Sequence, residues 1–138
     1  MTVRLSSIKA DLKREDEGEW IGVAEWPGVE LLVRSIHNAE YRTARDLLVQ
    51  RMTRQLGRVP IAAELERELP KLYARHLLRG WKGFDEEYAV DLAAEKLADP
   101  EFYPLAEQVL WASTRVGERA VEFVAAAEKN SAPPSATT

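Results

Sequence analysis

The chain holds two histidines, His37 and His76, and neither stands in an HExxH or paired-carboxylate setting at metal-ligand spacing. Both therefore read as structural or surface residues. Cysteine is absent, which excludes disulfides, thiolate zinc sites, iron–sulfur ligation and a cysteine nucleophile together. Ser6, Ser7, Ser35, Ser113, Ser131 and Ser135 lie in no GxSxG or SxxK context. The seven glycines are dispersed, and none belongs to a phosphate-cradling GxGxxG or GxxxxGK loop. Carboxylates are plentiful, yet Asp85, Glu86 and Glu87 are accounted for by helix capping, and Glu64, Glu66 and Glu68 by a solvated helix face. The expectation is a non-enzymatic protein with no catalytic residue, no metal and no cofactor.

Binding chemistry is better represented. Five arginines, Arg42, Arg45, Arg51, Arg54 and Arg58, face a single acid, Asp46, between residues 42 and 58. A nucleic-acid footprint would interleave such charges with aromatic or amide base readers, which are missing here. The face reads instead as solvated or paired with the glutamates that follow, and nucleic acid is disfavoured as a partner. Of the four tryptophans, Trp20, Trp26 and Trp81 fall beside glycine or proline in turns. Each could close the edge of a small core with its N–H on a backbone carbonyl, or serve as an anchor for a protein partner. Trp81 and Phe84 share a glycine-flanked loop, where two aromatics are poorly placed to be wholly internal. The candidate protein-binding residues are therefore Trp81, Phe84, Trp26 and Trp20.

These residues must be positioned by one compact domain, since the chain has 138 residues, 46% of them apolar and 30% charged. Its formal charge of −4 argues against a constitutive binder of nucleic acid or acidic membrane. No apolar run reaches the ~20 residues that span a bilayer, and the start MTVRLSSIKADLKRED lacks the apolar core of a secretory signal. A cytoplasmic protein with no membrane contact is expected.

Residues 1–18 read as a polar arm or a short lead-in strand. Two β-rich runs from Glu19 to Ala24 and Val29 to Arg34 flank Trp26-Pro27-Gly28 and predict a hairpin, which must lie on helices or pair elsewhere. Helices are predicted near 38–56, with Asn38 as N-cap and Gly57 as stop, and near 61–79, kinked or divided at Pro70. Gly80 to Phe84 reads as an ordered loop. A third helix is expected over 85–98, capped by Asp85, and a fourth over 104–127 on the stripe Leu105, Val109, Ala112, Val116, Ala120, Phe123 and Ala127. On that reading Gly117 only weakens the last helix. The fold class is thus mainly α (α+β): a small N-terminal β-hairpin followed by a compact bundle of about four helices. Residues 19–128 form the single domain, and 129–138 form a disordered tail. Leu48, Met52, Leu65, Leu72, Leu77, Leu92, Leu97, Val109, Val116 and Phe123 are expected to be buried.

The run Tyr73-Ala74-Arg75-His76-Leu77-Leu78-Arg79-Gly80-Trp81-Lys82-Gly83-Phe84, followed by Tyr88, Ala93, Leu97 and Asp99-Pro100-Glu101, resembles the tail assembly chaperones of long-tailed, siphophage-type bacteriophages and their prophages. The earlier run Val33-Arg34-Ser35-Ile36-His37-Asn38-Ala39-Glu40-Tyr41 is similar to the strand-to-helix passage of those proteins. The likeness covers roughly residues 19 to 116 and rests on short, degenerate motifs. Two departures stand out. The loop after Phe84 is shorter than the pattern, and Ala89 stands where a Ser or Thr cap often follows the aromatic, so Asp85 is expected to take over the capping.

The resemblance implies a non-enzymatic virion morphogenesis factor in the host bacterial cytoplasm, one that binds the tape measure protein and keeps it soluble while the tail tube assembles. Further partners implied are the tail tube protein, a frameshifted longer form of the chain itself, and a homo-oligomer. The long form would arise by ribosomal slippage where Glu128-Lys129-Asn130 can be encoded GAA AAA AAC. Two alternatives stand beside it: another phage morphogenesis factor of the tube or head-tail junction, and a small DNA-binding regulator using the Arg42–Arg58 helix.

Overall fold

The structure, a computed structural model, describes residues 1–119 and 121–125. In chain order it runs β1 (Thr2–Val3), a 3-10 turn over Leu5–Ile8, α1 (Leu12–Glu17), β2 (Glu19–Gly22), β3 (Glu30–Val33), α2 (Ala39–Leu56), α3 (Ala62–His76), β4 (Leu78–Lys82), α4 (Val90–Ala98), a 3-10 turn over Pro100–Phe102, α5 (Tyr103–Arg115) and β5 (Phe123–Val124). The class is mainly α, α+β, with an antiparallel hairpin ahead of the main helices. These elements divide into two units: Met1–Asp11 with the described residues of 118–125, and Leu12–Gly117.

In the larger unit the hairpin forms as its Pro-Gly turn dictates, with Glu19 opposite Val33 and Gly22 opposite Glu30. Its third strand lies in a segment whose sequence reads as helix end and loop. Leu78–Lys82 is β4, paired antiparallel with β3, so the predicted helix over 61–79 stops at His76 and the predicted loop is mostly strand. Two strands alone are marginal in water, and β4 supplies the pairing that the hairpin requires. An irregularity between Leu32 and Val33 lets both Leu78 and Trp81 share the inner face with Val33 and Leu31.

The helices pack on that inner face. Leu31, Val33, Leu77, Ala93, Val109 and Ala112 are sealed from solvent, and Tyr41, Tyr73, Leu97, Leu105 and Val116 close the core around them. Each fully buried Leu or Val contributes about 1.5–3 kcal/mol relative to exposure. Leu65, Leu72 and Leu92, expected to be buried, are only half-buried. α2 starts and stops as its caps require: the Asn38 side chain accepts from Tyr41 N–H at 2.9 Å, and Gly57 takes φ +73°. α3 is one helix through Pro70 rather than two. The proline removes the amide that would bond the Glu66 carbonyl, a loss tolerated because Glu66 faces water.

Three other expectations need correction. The third helix begins at Val90 and not at Asp85; Ala89 occupies the N-cap with φ −143° and offers no side-chain bond. The fourth helix ends at Arg115 instead of running to residue 127. Gly117 takes φ +73°, and its N–H donates to Glu19 Oε1 at 2.8 Å, so the backbone leaves the helix even though the apolar stripe continues. Phe123, expected in the core, lies on β5 and is 57% exposed. Ala120, Ala127, the tail 129–138 and the slippage site 128–130 lie outside the described residues.

The segment read as a polar arm or a short lead-in strand holds both a short strand and a helix. Leu12–Glu17 is a helix of the larger unit, and the Asp16 carboxylate and carbonyl both bind the buried Arg34 guanidinium at 2.7 Å. Arg34 Nη1 reaches Glu40 Oε2 at 3.0 Å, so one buried side chain ties α1 to the start of α2. In the smaller unit β1 pairs with β5, Thr2 opposite Val124 and Val3 opposite Phe123. Ser7 Oγ accepts from Glu122 N–H at 2.9 Å there, and Arg4 Nε meets Glu122 Oε1 at 2.9 Å.

Candidate binding groove

Three of the four sequence-predicted aromatics converge. β4 delivers Trp81 to the inner side of the sheet, opposite Leu31. Gly83 follows at φ +93°, packed so closely on the hairpin turn that any Cβ there would collide with the Gly28 carbonyl. This backbone contact, available only to glycine, holds the loop after β4 against Trp26-Pro27-Gly28. It brings Phe84 to 6.1 Å from the Trp26 ring and 5.3 Å from Trp81, both edge-on. Tyr88 also meets the Trp81 ring, at 5.2 Å and perpendicular. The indole Nε1–H donates to the Glu86 carbonyl at 2.8 Å, so the polar handle of Trp81 is satisfied internally and its ring is fixed.

Trp20 is not part of this cluster. It alternates to the outer face of the sheet, where its ring tip lies over Gly80 and Lys82 Nζ stands 4.0 Å from the ring centroid.

Facing the aromatic wall is a second wall that sequence reading did not assign. α4 contributes Leu92 and Lys96; the Pro100–Phe102 turn and the start of α5 contribute Glu101, Phe102, Pro104 and Leu105. Asp99 fixes this turn by accepting from Glu101 N–H at 2.9 Å. Lys96 Nζ lies 4.9 Å from the Phe102 ring. Between the walls runs a groove of about 280 Å³, bordered also by Asp85 and Glu86. That is just short of the ~300–1,000 Å³ of ordinary small-molecule sites, and its lining is apolar apart from the charged rim. Phe84 and Phe102, one on each wall, are both 36% exposed. The signal for the second wall was present in Asp99-Pro100, which turns the chain and sets an aromatic two residues later; its position opposite Trp81 is a tertiary fact.

The residues set aside as non-catalytic are dispersed. His37 is exposed, while His76 is half-buried with Nδ1 lacking a hydrogen-bond partner and 4.0 Å from Glu40 Oε1. Burial pushes the His76 imidazole below its ordinary pKa. The Glu40 carboxylate raises it by less, and the Arg75 and Arg34 guanidiniums add to the lowering. Arg58 forms a two-pronged pair with Glu64, both contacts at 2.9 Å, which holds the Glu64 carboxyl down at about 2. Glu64 also accepts from Ile61 N–H at 2.9 Å, the returning half of a capping box. Arg42, Arg45, Arg51 and Arg54 are exposed.

Among the described residues no group of three His, Asp or Glu side chains could hold a metal ion, and no helix is long and apolar enough to cross a membrane. Comparison with protein-family models, with curated proteins and with solved structures finds no match to this chain.

Proposed function

We propose that the chain is a tail assembly chaperone of a long-tailed phage or prophage, binding the tape measure protein and keeping it soluble during tube assembly. The observation that carries the reading is the groove between Trp26, Trp81 and Phe84 on one side and Phe102 and Pro104 on the other. It is apolar within and open to solvent, which suits the side chains of a helical client laid across it. Of the residues that carry the family resemblance, Trp81 and Phe84 stand in one wall and Glu101 in the other. Shallow sites of this kind bind weakly one at a time and gain strength by repetition along a long client. On this reading the protein works in the host cytoplasm, alongside the tail tube protein and a frameshifted longer form of itself, as a monomer or homo-oligomer.

Co-expression with the tape measure protein tests the proposal. Wild type should hold the client in the soluble fraction and co-purify with it. Phe84→Ala should lose capture while keeping its helical circular dichroism, and Trp20→Ala, on the opposite face of the sheet, should keep it. Capture unaffected by Phe84→Ala would remove the groove from the interface.

The exposed arginines of α2 support the DNA-binding alternative. That reading requires retardation of duplex DNA by the intact protein, weakened by Arg51→Ala and by added salt.

A further inference from the structure

The charge around the groove is predominantly acidic, three carboxylates against the single cation Lys96. Asp85, Glu86 and Glu101 border it, and all three are exposed and form no ion pair among the described residues. The surface continues along α5, where Pro104, Glu107, Gln108 and Trp111 fall on one side at helical spacing. There a second hollow is lined by Ala24, Glu25, Glu107, Gln108 and Trp111, and Gln108 Nε2 donates to Glu25 Oε1 at 2.6 Å. Trp111 is 42% exposed. From Pro104 to Trp111 this strip measures about 10 Å at 1.5 Å per residue, the rise of two helical turns. Five carboxylates thus border a strip with aromatic groups at both ends. The two cations on it, Lys96 and Arg115, lie over the rings of Phe102 and Trp111 at 4.9 and 5.8 Å.

Resting on the reading that this groove is the client site, we infer that its occupant is an amphipathic helix whose apolar stripe is flanked by lysine or arginine, and that acid-flanked helices are rejected. An apolar stripe brings its flanking side chains down onto the rim, where the carboxylates attract cations and repel anions across a surface only partly screened. Two or three exposed pairs of this kind together amount to about tenfold in affinity. The same charges give the protein a way to sort helices of equal hydrophobicity, which an apolar groove alone does not.

Two synthetic helical peptides with the same leucine stripe at i, i+3, i+4 and i+7, one flanked by lysines and one by glutamates, test the inference by calorimetry on the intact protein. The lysine peptide should bind about tenfold tighter at low salt, with the advantage shrinking toward 1 M salt, where the screening length falls to about 3 Å. The double variant Glu86→Lys, Glu101→Lys, checked for unchanged melting, should reverse the preference. Equal binding of both peptides, tighter binding of the glutamate peptide, or no binding of the lysine peptide up to millimolar concentration overturns the inference. Loss of tape-measure capture in Phe84→Ala would still sustain the chaperone reading in each case. If Phe84→Ala retains capture and leaves lysine-peptide affinity unchanged, both fall together.

Discussion

Replacing Ala89 with serine should stabilise the protein. Ala89 is the N-cap of α4, extended at φ −143°, ψ 146°, and its carbonyl already accepts the first helical bond from Ala93 N–H at 2.9 Å. The amides of the first turn have no side-chain acceptor, because alanine offers none. A serine Oγ at this position bonds the N–H of the second or third helical residue, and Ala-to-Ser exchange at N-caps is worth about 1 kcal/mol within a range of about 0.5–2. Residue 89 is exposed, so the one added oxygen displaces nothing. For a domain of this size about 1 kcal/mol corresponds to a rise of roughly 3–6 °C in melting temperature. Aspartate should gain less than serine, since Glu86, Glu87 and Asp91 already crowd the same helix end with negative charge. Differential scanning calorimetry of Ala89→Ser, Ala89→Asp and Asp85→Ala reads the comparison directly. Asp85→Ala should leave the melting temperature within about 1–2 °C, an ordinary surface substitution. The reverse pattern, with serine neutral and Asp85→Ala costing ~1 kcal/mol, would place the start of the helix at residue 86 and refute the assignment.

Gly83→Ala should cost at least ~2 kcal/mol, because it strains a positive φ and drives a Cβ into the Gly28 carbonyl; calorimetry should show the loss, and tryptophan fluorescence a disturbed Trp26–Phe84 contact. Glu64 should titrate near 2 by NMR, and Arg58→Ala should return its midpoint toward ~4.3, the ordinary glutamate value. Since the folded pKa is the lower one, this pair stabilises the protein above ~4.3 and its contribution disappears as pH falls through about 2. His76 behaves in the opposite chemical sense with the same direction of pH dependence. Its folded pKa lies below the unfolded ~6.5, so the unfolded chain takes up the proton first and stability declines as pH is lowered through ~6.5. Denaturant titrations between pH 5 and 8 should show that slope flatten in His76→Gln, and an unchanged slope would remove His76 as its source.

What sequence could and could not foresee follows from where each decision is made. α2 was legible at both ends because Asn38 and Gly57 act on their own neighbours: one accepts a bond three residues on, the other turns the backbone in place. The hairpin was legible for the same reason, through Pro27 and Gly28. β4 was not, because Leu77-Leu78 continues the apolar pattern of α3, and the strand exists only through pairing with Leu31, Leu32 and Val33, distant in sequence. Gly117 misled because the apolar stripe through Val109, Ala112 and Val116 is real, and all three are buried. What ends α5 is a capture of the Gly117 amide by Glu19, again a distant partner. At the third helix, local chemistry favoured Asp85 as the cap, whereas the backbone starts the helix after Ala89 despite its inert side chain. Tertiary contacts hold the preceding residues to Trp81 instead: the Glu86 carbonyl accepts from its Nε1–H at 2.8 Å and Tyr88 packs on its ring at 5.2 Å. The groove divides in the same way. Its aromatic wall lies within one stretch of chain and a turn marked by proline and glycine, so Trp26, Trp81 and Phe84 could be named from sequence. Its far wall, with Lys96, Phe102 and Pro104, depends on how α4 and α5 return across the sheet, and Trp20 drops out because strand alternation sends it to the other face.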